Sequence, residues 1–259
     1  MNEIKTIEEI LLNSMPSLQT VLLDGWVLRF NKNYTYRANC VCPVYYNDDA
    51  KKIRKKIAYC EEIYGRNKMP TVFKVTNVIQ KDLGSILLEM DYEKIKTVYT
   101  MQGNLLNMVV GKNVSDVRLC MAEKPENWLN ASCQLAGLTD QMLIDIQCQE
   151  IKNITVKSIF VKAICDKKVV GCGYGTTEHG YVGIYGLHVD EYYRKKGIGT
   201  SICQAIFTFG RKNGAKKAYL IVHSRNNTAI ALYSHMGFTK MYEYDFYQKS
   251  DSKYKIIDA

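Results

Sequence analysis

The stretch Arg194-Lys195-Lys196-Gly197-Ile198-Gly199-Thr200 constrains this chain more than any other. It sits between an apolar, strand-like run from Val182 to Val189 and a helix-like run from Thr200 to Arg211. A strand, a short glycine loop and a helix start together make an anion cradle. Glycine lets the main chain come close to a ligand. Successive N–H groups converge on one spot, and the helix dipole adds partial positive charge there. Arg194, Lys195 and Lys196 reinforce that charge, so the cradle suits a pyrophosphate. A G-x-G loop alone also serves as a plain strand-to-helix turn. It is not the dinucleotide fingerprint, whose third glycine would fall at Ile202, and no G-K-[ST] follows to make a P-loop. Gly171-Cys172-Gly173-Tyr174-Gly175 alternates small residues within a strand pattern, which suits a bend or a close backbone approach.

The segment that follows narrows the reading. Ala218 to Val222 reads as a buried strand, and after it comes Asn226-x-x-Ala229-x-x-x-Tyr233-x-x-x-Gly237-Phe238. Here the chain resembles the GNAT superfamily of N-acetyltransferases. That family carries an [RQ]-x-x-G-x-[GA] loop and, one helix and one strand later, an N-x-x-A-x-x-x-Y-x-x-x-G-F helix. Leu187-His188-Val189 matches its L-x-V strand end. The resemblance covers about Val114 to Lys249. It implies an α/β fold with a mixed sheet whose fourth and fifth strands splay apart, with acetyl-CoA wedged in the gap.

The same resemblance assigns roles. Backbone amides at Leu187, His188 and Val189 hold the pantetheine arm and polarise the thioester carbonyl. Arg194 to Thr200, with Gly197, Ile198 and Gly199 at its centre, takes the pyrophosphate. Asn226 is an N-cap by position, and the matching family asparagine also contacts the CoA arm. Tyr233 is either a core aromatic or the general acid that protonates the CoA thiolate. A tyrosine pKa of about 10 against about 8.5 for a thiol allows the second. A family glutamate on the strand before the asparagine is missing here, where Ile221 stands. Tyr185, two residues before Leu187, either orders a water that accepts the amine proton or lines the acceptor pocket. Glu178 and His179 read as a solvated turn, and His188 and His223 as structural. A water chain to solvent is the default proton route.

Composition is compatible and excludes several classes. At 259 residues the chain is long enough for one large or two small domains. No apolar run reaches the roughly 18 to 20 residues of a membrane helix, and the N-terminus shows no signal peptide. Nine cysteines, an odd number without a framework, fit reduced thiols in a cytoplasm. Cys40-Val41-Cys42 has no second pair and the four histidines have no ligand spacing, so no metal is expected. The net charge of +9 includes Lys51-Lys52-Ile53-Arg54-Lys55-Lys56. Ile53, Ile57, Cys60 and Tyr64 share one face of that helix pattern, which leaves the lysines on the solvated face. Nucleic acid is therefore not expected as a partner. A positive field drawing in CoA phosphates is a sufficient reading.

The N-terminal part repeats the C-terminal order. Ile4 to Leu11 reads as a helix ending near Pro16, and Val21–Leu23 and Trp26–Phe30 as a hairpin around Asp24-Gly25. A strand over Tyr34 to Val44 follows. Helix 48–64, ended by Gly65, leads to strand 71–76, helix 81–90 and a strand from Lys94 to Gln102. The C-terminal part runs helix 199–213, strand 216–222, helix 226–236, Gly237-Phe238, then a strand to about Lys249. The chain thus resembles tandem GNAT proteins, with residues 1–110 a degenerate module and 111–259 the acetyltransferase module. In the first module the loop before the helix is Tyr45-Tyr46-Asn47-Asp48-Asp49-Ala50, without glycine. Asp48 or Asp49 would cap that helix and repel a pyrophosphate. The function implied is transfer of the acetyl group of acetyl-CoA to a primary amine of a small molecule or peptide. A catalytically idle acyl-CoA-binding regulator is the alternative, and a nucleic-acid-binding module ranks below both. Tyr242, Tyr244 and Tyr247 line the acceptor pocket or are plain strand residues.

Overall fold

A computed structural model describes residues 3–45, 48–76, 78–108, 117–122 and 124–258. The 110/111 module boundary, the Val114 edge of the GNAT resemblance, and Tyr46 and Asn47 of the first loop lie outside the described residues. In chain order the elements begin α1 (Glu3–Ser14), β1 (Gln19–Leu23), β2 (Trp26–Phe30), β3 (Val41–Pro43), α2 (Ala50–Arg66), β4 (Val72–Val75), α3 (Leu83–Glu89) and β5 (Tyr92–Asn104). They continue β6 (Arg118–Met121), α4 (Pro125–Ala136), α5 (Gln141–Lys152), β7 (Lys157–Cys165), β8 (Lys168–Glu178) and β9 (Tyr181–Val189). The last are α6 (Ile198–Lys212), β10 (Lys217–His223), α7 (Asn227–His235) and β11 (Thr239–Lys249). Among the described residues no helix is long and apolar enough to cross a membrane.

Contacts divide the chain into two compact units that do not follow chain order. One is Met1–Tyr99 with Tyr242–Ala259; the other is Thr100–Met241. β5 and β11 each pass from one unit into the other. In the first unit the strand order is β1-β2-β3-β4-β11-β5. The end of the chain enters here: Asp245, Phe246, Tyr247 and Gln248 pair antiparallel with Val75, Lys74, Phe73 and Val72.

The first unit's core forms because α2 repeats apolar residues at helical spacing. Ile53, Ile57, Cys60 and Tyr64 are all fully buried, against Trp26, Leu28, Phe30 and Phe73. The Tyr64 hydroxyl donates to the Arg29 carbonyl (2.9 Å) and accepts from the Arg29 amide (3.1 Å), so its polar tip is satisfied inside. Asp24 and Gly25 take φ of 42° and 82°, the turn that matches the strand twist of a two-residue hairpin. The strand expected over Tyr34–Val44 shrinks to Val41–Pro43. The cause is Asn39: its side-chain carbonyl accepts from the amides of Asn31 (2.7 Å) and Asn33 (3.1 Å), and its NH2 donates to the carbonyls of Tyr34 and Thr35. Main-chain groups held by a side chain are lost to a ladder. α2 also runs past Gly65 to Arg66, where Asn67 caps it.

At the start of α2, Asp49 is the N-cap, its carboxylate accepting from the Lys52 amide at 2.8 Å. Asp48 pairs with Lys52 at 2.6 Å and with Lys56, and both lysines also reach Asp24. Protein carboxylates thus fill the anion position of this helix. Tyr242 and Tyr244 are interior residues of the same unit. The Tyr242 hydroxyl donates to Glu8 at 2.7 Å, and the Lys74 ammonium, 2.5 Å from Glu8, lies 4.1 Å over the Tyr244 ring. Tyr247 belongs to the apolar core.

The second unit carries the strand order β5-β10-β9-β8-β7-β6. The glycine alternation on β8 now has a reason. A Cβ on Gly171 would sit 3.0 Å from Ile198, and one on Gly173 2.9 Å from Ile202; Gly175 meets Ile206 more closely still. These isoleucines are four apart on α6, one ridge of the helix. The helix beds against the sheet backbone because β8 presents no side chains there. Residues between the glycines face the other way, and Tyr174 meets Trp128 of α4 edge-on at 5.2 Å. Helices α6 and α4 therefore cover opposite faces of β8.

Candidate active site

The parallel ladder of β9 with β10 runs from Tyr181↔Lys217 to Ile184↔Leu220. Both strands continue, to Val189 and to His223, without pairing further to each other. This opens a gap whose β9 wall is Tyr185–Val189. On its other side β9 pairs Tyr185 with Tyr174 but His188 with Cys172, so one extra residue bulges out between them. Gly186 supplies the bulge with φ of 55°. A Cβ there would stand 2.9 Å from the Trp128 ring, so glycine is required twice over. The Asp190 amide donates to Val170 on β8 (2.9 Å). Alternation along the strand turns the Val189 amide and carbonyl to the gap side. The Arg194 side chain follows them there, its Nε donating to the Val189 carbonyl at 3.2 Å.

The helix that starts over the gap is left open. Gly197 sits at the N-cap of α6 with φ of 84° and ψ of −2°, and no side chain caps it. The first intrahelical bond is the Ser201 amide to the Gly197 carbonyl, 3.0 Å. The amides of Ile198, Gly199 and Thr200 precede it and have no partner among the described residues. A Cβ on Gly199 would meet Leu232 at 3.7 Å and Leu187 and Val189 at 3.8 Å. That glycine is thus where the helix start, the β9 wall and α7 converge. Arg194, Lys195 and Lys196 are exposed, and the Lys196 ammonium is 4.9 Å from the Tyr193 ring centre. The contrast with α2, capped by Asp49 and lined by Asp48, is direct: one helix start is filled by carboxylates and the other by none.

Asn226 caps α7, its side-chain oxygen accepting from the Ala229 amide at 3.0 Å. Its NH2 has no partner among the described residues. Tyr233 is 8% exposed and meets Phe238 edge-on at 5.9 Å. Its hydroxyl makes no hydrogen bond among the described residues. Burial, with Cys203 nearby, raises its pKa well above the ordinary value, so it stays protonated. Burial also lowers His188, which is neutral at pH 7. The thiols of Cys172 and Cys203 are pushed by burial up to about 12. His179 lies 3.5 Å from Glu178 in the β8–β9 turn, away from the bulge end of β9.

Tyr185 is buried in an aromatic array. It stacks on Tyr174 at 5.0 Å and 29°, and its hydroxyl is hydrogen-bonded to that of Tyr219. Tyr185 stands out in the sequence, whereas Tyr219, Gly183, Gly186 and Trp128 do not. A glycine one residue before the L-x-V strand end was the available signal for the bulge. Nothing local marks Tyr219, because its partner is far away in the chain.

The family model for the C-terminal part of Rv0428c, described as a probable histone acetyltransferase, matches residues 1–247. YobR of Bacillus subtilis (strain 168), an uncharacterized N-acetyltransferase, is 24% identical over 253 residues, 95% of this chain and 98% of that protein. A GCN5-related N-acetyltransferase from Kribbella flavida has a similar structure, with a TM-score of 0.74 at 13% identity over 95% of both chains. One from Sphaerobacter thermophilus gives 0.66 at 14% identity, over 97% of this chain and 87% of that one. A tandem GNAT protein from the clavulanic acid biosynthesis pathway gives 0.64 at 13%, over 77% and 70%.

Proposed function

Because the chain belongs to the Rv0428c C-terminal acetyltransferase family, we propose that it transfers the acetyl group of acetyl-CoA to a primary amine by direct attack of that amine on the thioester. The observation that carries this reading is the open start of α6 over the gap between β9 and β10. Uncapped amides at a helix N-terminus, with room at Gly199 and cations at Arg194, Lys195 and Lys196, fit a pyrophosphate. The strand gap fits an extended pantetheine arm.

In this reading the gap-side amides of the Leu187–Val189 wall hold the arm and donate to the thioester oxygen as negative charge develops on it. Asn226 caps α7 with its oxygen and offers its NH2 to the arm. The bound thioester supplies an activated acetyl group. The amine must arrive neutral, and the proton it sheds passes to water. Tyr233 gives its proton to the departing thiolate and takes one back from water. Direct attack is favoured over a cysteine-bound acetyl intermediate, because Cys172 and Cys203 remain thiols at neutral pH. Tyr185 belongs to the acceptor side, where its hydroxyl hydrogen-bonds the incoming amine or its water. Residues 1–110 are read as a degenerate module without its own CoA, and 111–259 as the acetyltransferase module. Nine free cysteines suit a cytoplasmic setting.

The acceptor is a small-molecule or peptide amine, and the family description makes a lysine-rich histone peptide the first to try. Thiol release from acetyl-CoA should be followed over a panel of that peptide, a polyamine, an aminoglycoside and free amino acids, beside a calorimetric titration. One acetyl-CoA per chain and amine-dependent release are expected. Two sites per chain would overturn the degenerate-module reading. Binding without turnover on any amine would overturn the transferase reading.

A further inference from the structure

The hydroxyls of Tyr185 and Tyr219 meet at a particular height in the sheet. Tyr219 pairs with Gly183, one rung before the last rung of the β9–β10 ladder, Leu220↔Ile184. The hydroxyl pair therefore stands one rung inside the ladder, just below the point where the strands part. The Tyr185 ring reaches this point by folding back along its own strand. The three atoms nearest to a Cβ built on Gly183 all belong to that ring: the hydroxyl oxygen, Cζ at 2.6 Å and Cε2 at 2.7 Å. Gly183 has an ordinary strand conformation, so its backbone does not require glycine. The ring does, because any side chain at Gly183 occupies its place. Stacking on Tyr174 and an edge contact with Tyr219 at 6.1 Å and 80° leave the ring one orientation.

We propose that Gly183 and Tyr219 are positioning residues for acetyl transfer: Gly183 leaves the space and Tyr219 supplies the hydrogen bond that together set the Tyr185 hydroxyl just below the opening of the β9–β10 gap, facing the acceptor amine. This rests on the reading of Tyr185 as an acceptor-side residue. A hydroxyl bonded to a second hydroxyl has its rotation fixed. An amine N–H bound there is held with its nitrogen lone pair free to attack. A misplacement of about 1 Å at such a point can cost about a hundredfold in rate. The proton itself still leaves through water, so neither tyrosine needs to ionise.

The test measures thiol release from acetyl-CoA with n-butylamine, a lysine side chain without its peptide, for wild type, Tyr185→Phe, Tyr219→Phe, the double variant and Gly183→Ala. Acetyl-CoA affinity is measured alongside by calorimetry. The expected result is a fall in kcat of about ten- to a hundredfold for each single variant, with acetyl-CoA affinity unchanged. The double variant should be no slower than Tyr185→Phe alone, because both act through one hydroxyl. If Gly183→Ala fails to fold, the two phenylalanine variants carry the test unaided. Full activity in Tyr219→Phe with a slow Tyr185→Phe overturns the positioning role and leaves Tyr185 in place. Independent, multiplying losses overturn it too. Full activity in Tyr185→Phe overturns the acceptor-side reading together with the proposal. No release above the spontaneous rate in wild type overturns acetyl transfer to a simple primary amine, and the proposal with it.

Discussion

Replacing Tyr233 by Phe removes one oxygen and separates packing from chemistry. The ring keeps its edge contact with Phe238 at 5.9 Å, and Met236, which caps the end of α7, remains fully buried. The lost hydroxyl makes no hydrogen bond among the described residues, so the usual penalty of about 1 kcal/mol for a deleted bond does not apply. A stability change under about 0.5 kcal/mol is expected, within about 2 °C in melting temperature. The rate is another matter. A general acid contributes about 10²- to 10⁴-fold, which is roughly 2.7 to 5.5 kcal/mol on the barrier. The pH dependence adds a second check. Burial, with Cys203 nearby, raises Tyr233 above the ordinary tyrosine value of about 10. A raised acid keeps its proton, so its charge changes only above pH 10, and any stability it costs appears only there. The wild-type rate should therefore show no decline from this group between pH 7 and 10. The assay is thiol release from acetyl-CoA with an active amine, beside a calorimetric affinity. Turnover equal to wild type in a folded Tyr233→Phe protein would return the residue to packing and leave thiolate protonation to water.

Three further outcomes follow from the geometry. Gly197→Val forces a branched residue to φ of 84°, which costs about 1 to 2 kcal/mol in stability; it should also weaken acetyl-CoA binding at least about tenfold, roughly 1.4 kcal/mol, and unchanged affinity by calorimetry would make the loop a mere turn. His188 is held below the ordinary histidine value of about 6.5 by burial, so the unfolded chain binds its proton first and stability falls as pH drops below about 6.5. Denaturant melts should find that slope flattened in His188→Gln, and an unaltered slope would clear the imidazole of the effect. In the first unit, burial alone would lower the Lys74 ammonium, but Glu8 and its other neighbours outweigh it and hold it above its ordinary value. Lys74→Met should cost about 3 to 5 kcal/mol by stranding the Glu8 carboxylate, while Glu8→Leu with Lys74→Met recovers most of it; equal stability of the two variants would show the pair is not isolated from other charges.

Local sequence marks the elements of the site closely. The helix read over 199–213 is Ile198–Lys212, the strand over 216–222 is Lys217–His223, and the helix over 226–236 is Asn227–His235. These edges are written in short-range chemistry: a glycine loop, an Asx cap, apolar residues at period 3.6 or in a run. The strand expected over Tyr34–Val44 is shorter in the fold, because one asparagine withdraws the backbone from pairing. No such local mark announces the closing of the Trp128 ring, carried by α4, on Gly186.

By itself the sequence determined the order of helices and strands, the uncapped, cation-flanked start of α6, and the carboxylates that stand at the start of α2 instead. Each of these depends on residues a few positions apart. Only the tertiary structure decided that the last strand joins the unit that opens the chain, that β9 and β10 part after Ile184↔Leu220, and that Tyr185 folds over Gly183 to meet Tyr219. Those facts join residues far apart in the chain. Strand pairing has a period of two and is silent about its partner, so the match is chosen only when whole faces are buried together.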